Sequence, residues 1–317
     1  MKKFVYILAI VVLGVISLFI GVKDITIQSL FTAPDQMKIM VVSRIPRLIS
    51  ILVAGMGMAV SGVIMQMLAS NRYISPSTGS TTEWAKLGVL TAVLLFPGAT
   101  PVVKMLIAFG SAFLGTMLFL RLLQAIKLKD AALIPLVGIL FGNVVGAVTT
   151  FIAYRHDLIQ NITSWMQGSF TMVLRGRYEL LYLGLPFLAL AMFYASRFTV
   201  VAMGKDISSN LGISYFTTVQ VGLSIVAVMT SVVVVSVGAI PFIGIVIPNI
   251  VRLYCGDNLR KSIVDIALLG GLFLLVCDII SRLIIFPFEI PISVTVGVMG
   301  CGLFLALLAG RRGYEAA

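Results

Sequence analysis

The 317-residue chain is 60% hydrophobic and only 11% charged, and its formal net charge at pH 7 is +11. About a quarter of the residues of a typical soluble domain are charged, so this composition excludes an ordinary soluble domain and predicts an integral membrane protein. The basic residues lie between apolar runs instead of forming one patch, which argues against nucleic-acid binding. Lysine and arginine that flank membrane helices on the cytoplasmic side are the simpler source of the positive charge.

The first apolar run, residues 4–20, has two interpretations. A short basic start followed by apolar residues is typical of a secretory signal peptide. The apolar stretch is longer than the core of a typical signal peptide, however, and no A-x-A cleavage pattern follows it. We therefore expect this run to be the first transmembrane helix.

Further apolar runs are long enough to cross a bilayer, and two shorter ones, 84–96 and 242–254, are ambiguous by length. Basic clusters resolve them, because clusters on the cytoplasmic side must be separated by an even number of crossings. The result is an all-α protein of about ten transmembrane helices with both termini in the cytoplasm. The longer runs are 47–70, 102–123, 132–153, 179–198, 217–237, 263–285 and 291–308. The clusters are Lys2 with Lys3, Lys127 with Lys129, Lys205, Arg260 with Lys261, and Arg311 with Arg312.

On this topology several arginines face outward, against the positive-inside bias. Pro46, a residue favoured in the first turn of a helix, fixes Arg44 and Arg47 where the second helix begins. An outward cationic ring suits an acidic partner that docks from outside. Tolerance of charge in loops and anchoring to lipid headgroups are the alternative readings. The six outward arginines are Arg44, Arg47, Arg155, Arg175, Arg177 and Arg282.

Small residues recur at helical spacing on two of the predicted helices. Gly55, Ala59 and Gly62 share one face of the second helix, and Gly142 and Gly146 form a GxxxG pattern on the fifth. Such faces allow two helix backbones to approach closely in lipid. We expect tight packing within the chain, and a substrate path along these faces is the alternative.

The pattern of carboxylates and nucleophiles gives little support to catalysis. Asp278 is the only carboxylate that the sequence places well inside a predicted helix, and Arg282 follows one turn later. An ion pair near the outer helix end is therefore favoured over proton coupling. Gly204-Lys205 is followed by Asp206, so the segment is not a nucleotide-binding P-loop. No metal site is expected from the single histidine, His156. No CxxC spacing occurs, and packed thiols are expected at Cys255, Cys277 and Cys301.

Several motifs, in order along the chain, resemble the FecCD family of bacterial iron–siderophore and cobalamin permeases, the membrane subunits of type II ABC importers. Together they span about 250 residues of the chain, which makes the resemblance specific. The motifs are Arg44-Ile-Pro-Arg47, Gly62-Val-Ile-Met-Gln66, Trp165-Met-Gln-Gly-Ser169, the segment 204–212, the block from Pro241 to Arg252, Asp278 with Arg282, and Glu289-Ile-Pro291.

The resemblance implies one transmembrane domain over residues 1–317 with the type II importer fold, in the cytoplasmic membrane of a bacterium. Its implied partners are a second permease subunit (itself or a homologous chain), two cytoplasmic ABC ATPases and an extracytoplasmic substrate-binding protein. An iron–siderophore is the implied cargo. The chain would need no cofactor and would be a transport subunit instead of an enzyme, because a separate ATPase hydrolyses ATP.

The resemblance also implies roles for individual residues. The binding protein would dock on Arg44, Arg47 and Arg282. The ATPase would receive a coupling helix in the segment 204–213, for which a solvated turn is the alternative. Its key positions would be Gly204, Lys205, Asp206, Leu211 and Gly212. The cytoplasmic gate would be Asn71 and Tyr73, for which a plain loop is the alternative.

Three departures from the family pattern bear on the cargo. Tyr73 stands where a leucine is usual, Asn249 where a histidine is usual, and the segment 80–88 replaces a run of small residues. The last variant resembles the branch that handles catecholate siderophores, which often pairs two different permease chains. Cobalamin or haem transport within the family is one alternative. An ion-coupled carrier is a second, and an intramembrane enzyme is a third, although one histidine and one buried acid leave no convincing catalytic set.

Overall fold

The computed structural model describes residues 2–21, 34–98, 100–126, 133–171, 173 and 179–315. Within these ranges the chain forms helices and no strand, which confirms the all-α prediction. The α-helices, in chain order, are α1 Lys2–Phe19, α2 Pro34–Ile39, α3 Ile45–Leu68, α4 Thr81–Leu95, α5 Pro101–Ile126, α6 Leu133–Arg155, α7 Ile159–Met166, α8 Gly184–Val201, α9 Lys205–Asn210, α10 Tyr215–Val237, α11 Ile243–Cys255, α12 Leu259–Leu283 and α13 Ile292–Glu315. A π-helical turn, Met40–Arg44, joins α2 to α3, and a 3-10 turn, Glu179–Leu183, precedes α8.

Among the described residues, eight helical stretches are long and apolar enough to cross a membrane. Two shorter helices, α4 and α11, occupy the runs that were ambiguous by length, so the count approximately matches the predicted ten. Phe242 directly precedes α11, and its positive φ of 62° turns the backbone between Pro241 and the helix. The spanning stretches are Lys2–Phe19, Gln36–Leu68, Pro101–Leu123, Leu133–Arg155, Glu179–Val201, Tyr215–Val237, Leu259–Leu283 and Ile292–Ala309.

Helix α3 forms the centre of the bundle and is buried along most of its length. Its small residues admit two neighbouring backbones, since a Cβ on Gly55 would lie 2.5 Å from the carbonyl oxygen of Gly270 on α12. A Cβ on Gly62 would overlap the backbone of Gly244 on α11. These contacts support the packing interpretation for α3. In lipid the hydrophobic effect does not drive helices together, so the close packing of their backbones stabilises the contact instead.

The bundle has two ends, which α3 connects over about 36 Å. Arg44 directly precedes α3, and we call this the arginine end. Beyond the other end of α3, the Ser70 hydroxyl donates a hydrogen bond of 3.2 Å to the Ala202 carbonyl, three residues before Lys205. We call this the coupling end. Arg44 and Lys205 therefore lie at opposite ends of the bundle.

Other basic residues follow the same division. The Lys2 ammonium lies 4.0 Å from the ring centroid of Tyr254, at the last turn of α11, so the start of α1 is at the coupling end. The start of α12 joins it, because Leu259 N donates to Thr199 Oγ1 near the end of α8. Lys127, Lys129, Arg175 and Arg177 lie outside the described residues, as do the side chains of Arg311 and Arg312.

The cysteines differ in their surroundings. Cys277 is buried in the core and Cys255 is partly buried, as expected for packed thiols. Cys301 is exposed on α13, which corrects the expectation that all three are packed. The helix presents this position to its surroundings because little of its apolar stretch is buried inside the chain.

Candidate functional site

The arginine end contains a network of buried charges around Arg47. Its guanidinium donates to Asp278 Oδ1 at 2.8 Å and to the two oxygens of Glu289 at 2.8 and 2.9 Å. The Arg47 side chain is 12% exposed and that of Asp278 is fully buried. Arg47 thereby joins α3 to α12 and to the loop before α13.

Arg282 is the second cation of the network and is only 3% exposed. Its Nη2 forms an ion pair of 2.6 Å with Asp278 Oδ2, although the two groups are not aligned as a hydrogen bond. Nη1 donates to the carbonyl oxygens of Ser17 and Ile20 at 3.0 and 3.1 Å, and Nη2 contacts the Ser17 hydroxyl. A cation is favourable there because the last carbonyls of α1 carry partial negative charge.

Glu289 completes the network outside the membrane-spanning helices. Thr171 Oγ1 donates to Glu289 Oε2 at 2.8 Å. Burial acts to raise the pKa of Glu289, but the charge of Arg47 and the hydrogen bonds from Thr171 and Arg47 outweigh it and hold the pKa below its ordinary value. The carboxylate is therefore ionised at neutral pH and balances Arg47.

These positions bear on the docking role expected for three arginines. Arg44 is partly buried, and its guanidinium packs over Gly21 at the end of α1. Arg47 and Arg282 point into the protein, where Asp278 satisfies both. The structure brings the three arginines to one end of the bundle but does not present the charge of Arg282 outward. The docking role of the three arginines stays a prediction.

Two carboxylates lie farther inside helices than the apolar runs of the sequence predicted. Helix α4 begins at Thr81, three residues before the apolar run chosen from the sequence, and so includes Glu83. Asp265 on α12 is 5% exposed and accepts a hydrogen bond of 3.4 Å from Cys255 Sγ. Asp278 is therefore not the only acid inside a helix. Thr81 and Thr82, whose polar side chains favour a loop in the sequence analysis, are buried and belong to the first turn of α4.

The segment 204–213 at the coupling end forms the short helix α9. Gly204 and Gly212 bound it with φ angles of 110° and 72°, which favour glycine over any residue with a Cβ. Ser208 is buried and anchors the helix to α8, because its hydroxyl donates to the Val200 carbonyl at 3.2 Å as well as to the Gly204 carbonyl of its own segment at 2.7 Å. Lys205 and Asp206 are exposed.

Exposed apolar side chains lie on and beside α9. Ile207 and the C-cap residue Leu211 lie one helical turn apart on α9, Met203 precedes the helix, and Phe216 follows at the start of α10. Met203, Ile207, Leu211 and Phe216 are 58%, 45%, 61% and 66% exposed. Exposed apolar patches on a polar surface mark sites of protein interaction. We call these four residues the apolar face of the coupling end.

The loop after α3 also lies at the coupling end. Asn71 is buried, and its side-chain oxygen accepts a hydrogen bond of 2.8 Å from Tyr73 N. The Tyr73 ring meets Phe304 of α13 edge to face at 6.1 Å, and Asn249 Nδ2 donates to the Arg72 carbonyl at 2.8 Å. The loop is thus held between α11 and α13, and two departures from the family pattern, Tyr73 and Asn249, line one small cavity.

The comparisons with known proteins agree with this arrangement. The FecCD transport family model matches residues 8–310. The chain is 48% identical over 313 residues to the petrobactin import system permease protein YclN of Bacillus subtilis, covering 98% of this chain and 99% of that protein. It is 39% identical over 303 residues to the ferric-anguibactin transport system permease protein FatD of Vibrio anguillarum, covering 95% and 96%. A solved metal-chelate type ABC transporter in an inward-facing conformation has the same fold, with a TM-score of 0.80, 22% identity and coverage of 97% and 98%. The chain therefore belongs to the FecCD transport family.

Proposed function

We propose that the chain is the membrane-spanning permease subunit of an ATP-driven importer that carries an iron–siderophore of the catecholate type across the cytoplasmic membrane of a bacterium. The observation that carries this proposal is the 48% identity, over nearly the whole of both chains, to a petrobactin import permease. Transport proceeds by alternating access and alters no covalent bond of the cargo. ATP is hydrolysed by separate ATPase subunits.

The coupling end supplies a surface for an ATPase. Helix α9 is short, is fixed at both ends by glycines and carries the exposed residues Lys205, Asp206 and Leu211. Closure of two ATPases around nucleotide would push such a rigid helix and tilt α8 and α10, to which it is joined. The loop with Asn71 and Tyr73 lies at the same end, where a cytoplasmic gate belongs.

The arginine end supplies a surface for a substrate-binding protein with acidic docking residues. An acidic side chain that approaches from outside would meet Arg44 first. It would reach Arg47 by replacing Glu289, and Arg282 only if Asp278 released it. Charge complementarity of this kind speeds association and sets orientation more than it adds affinity.

A second permease subunit, either another copy or a homologous chain, completes the translocation path. Helix α6 offers a continuous apolar stripe for this contact, with side chains that recur at helical spacing and are half or more exposed. These residues are Leu136, Leu140, Val144 and Phe151.

Uptake by the reconstituted complex tests the proposed function. The chain, its second permease subunit, the ATPase and the binding protein are placed in liposomes with ferric petrobactin labelled with radioactive iron. We expect uptake that requires ATP inside, stops when the ATPase carries an inactive catalytic site, and survives collapse of the ion gradients by ionophores. Uptake that persists without ATP hydrolysis but ends with the ion gradient would identify an ion-coupled carrier instead.

A further inference from the structure

Helix α4 carries two opposite charges within the membrane-spanning bundle, Glu83 and Lys86. A Cβ on Gly146 would lie 3.1 Å from Glu83 Oε2, and one on Gly142 would lie 3.6 Å from Glu83 Cγ. Both glycines lie near the centre of the 23-residue helix α6. Glu83 therefore occupies mid-depth. Gly146 leaves room for its carboxylate, whereas Gly142 lies against Ser80 just before α4, whose Cα would be 3.5 Å from an added Cβ.

Lys86 stands one turn after Glu83 on the same helix. Its Nζ lies 3.4 Å from Glu83 Oε2, and the two side chains are 20% and 33% exposed. Lys86 borders a cavity of about 420 Å³ between α4, α6 and α7. Three polar side chains share this lining, namely Thr150, Thr163 and Gln167.

A structural explanation of this pair is weak. A charge at the bilayer centre costs about 2.5–3.5 kcal/mol, and intramembrane charges are for this reason rare and face water-filled cavities or ligands. The Glu83–Lys86 contact is long for an ion pair and bridges no two helices, because both residues belong to α4. The ammonium has three donors, and the carboxylate takes one of them.

We propose that Lys86 forms a binding subsite for anionic oxygens of the ferric chelate during its passage, and that Glu83 holds the ammonium while the subsite is empty. This inference rests on the proposed function. Iron(III) bound by deprotonated catechols carries excess negative charge on its oxygens, and an ammonium binds such oxygens through charge-assisted hydrogen bonds. The side-chain amide of Gln167 adds a neutral donor to the lining. The hydroxyls of Thr150 and Thr163 donate to the carbonyls of Gly146 and Ile159, so they present acceptor lone pairs to the cavity.

Thiol labelling measures the charge of the cavity without any transport. Thr163→Cys is introduced into a complex whose native cysteines are replaced, and it reacts with an anionic and with a cationic methanethiosulfonate. Lys86→Gln is expected to lower the ratio of anionic to cationic rates on the order of tenfold, since Lys86 lines the same cavity as Thr163 and a unit charge acts strongly where protein lowers the dielectric constant. Glu83→Gln is expected to raise the same ratio.

These opposite shifts separate an anion subsite from a packing role. Lys261→Gln, which removes an exposed lysine at the coupling end, is the control and should leave the ratio unchanged. If Lys86→Gln left the ratio unchanged, or if both cavity variants moved it in the same direction, the subsite would be ruled out.

Transport of ferric petrobactin then tests the role of the subsite. Lys86→Gln should slow the initial uptake rate on the order of tenfold, as expected for one lost charge-assisted hydrogen bond, with ATP hydrolysis by the complex retained. Lys86→Arg should restore most of the rate. Wild-type uptake by Lys86→Gln overturns the inference. If instead the wild-type complex carries no ferric petrobactin while the labelling shifts hold, the proposed cargo is wrong and the anion subsite stands.

Discussion

Replacing Asp278 with asparagine is expected to lower the free energy of unfolding by about 3–5 kcal/mol, the cost of removing one partner from a buried ion pair. Asp278 is fully buried and neutralises Arg47 and Arg282 at once, at 2.8 and 2.6 Å. The asparagine leaves Arg282 with the carbonyls of α1 but without a counterion. The change also weakens the attachment of α1 to α12, which runs through Arg282.

Titration of purified protein with SDS in detergent micelles measures this loss. Asp257→Asn is the matched control, because Asp257 also pairs with two arginines, Arg72 and Arg252, but is 63% exposed. Exposed pairs contribute about 0–1 kcal/mol, so the control should unfold nearly as the wild type does. Equal effects of the two substitutions would contradict the buried network as the source of stability at the arginine end.

Replacing Ile207 with aspartate is expected to reduce ATP-driven uptake by at least tenfold, roughly the effect of burying an unpaired charge in a protein contact. Ile207 is 45% exposed on the apolar face of the coupling end and packs little against its own chain. The fold should therefore survive, with an unchanged SDS titration. ATPase association and uptake by the reconstituted complex are the two measurements.

Ser209→Asp places the same charge on α9 at a residue that is not part of the apolar face of the coupling end, and it serves as the control. Ser209 is exposed, and its hydroxyl donates to the Lys205 carbonyl of its own helix at 2.9 Å. We expect this variant to retain ATPase association and uptake. If Ile207→Asp also retained ATPase association and uptake, the apolar face of the coupling end would not be the site where the ATPase binds.

The positions of the helices followed from the sequence because lipid imposes one simple rule on a spanning segment. Apolar length and the alternation of basic loops identify α1 and α12 without knowledge of packing. The i,i+4 spacing also identified the Asp278–Arg282 pair, since the two residues share one face of one helix. Local periodicity was sufficient for these features.

The remaining features of the site depend on contacts between distant parts of the chain. Arg47 pairs with Asp278 and Glu289, which lie more than 230 residues later in the sequence, and no spacing rule predicts such a pairing. Arg282 turns inward because the carbonyls at the end of α1 accept its hydrogen bonds. Glu83 was missed because hydropathy places the start of α4 at the first apolar residue, although buried threonines continue the helix before it.

Labelling from the two sides of the membrane tests the central claim, that the arginine end faces outward and the coupling end faces the cytoplasm. His156 and Lys205 are both exposed. His156 lies at the arginine end, because the helix that follows it, α7, leads to Gly168, whose carbonyl accepts a hydrogen bond from Ser293 N near Glu289. In a variant without native cysteines, His156→Cys should react with an impermeant maleimide in intact spheroplasts. Lys205→Cys should react only after the membrane is permeabilised. Reaction of both from the same side, or the reverse pattern, would contradict the account.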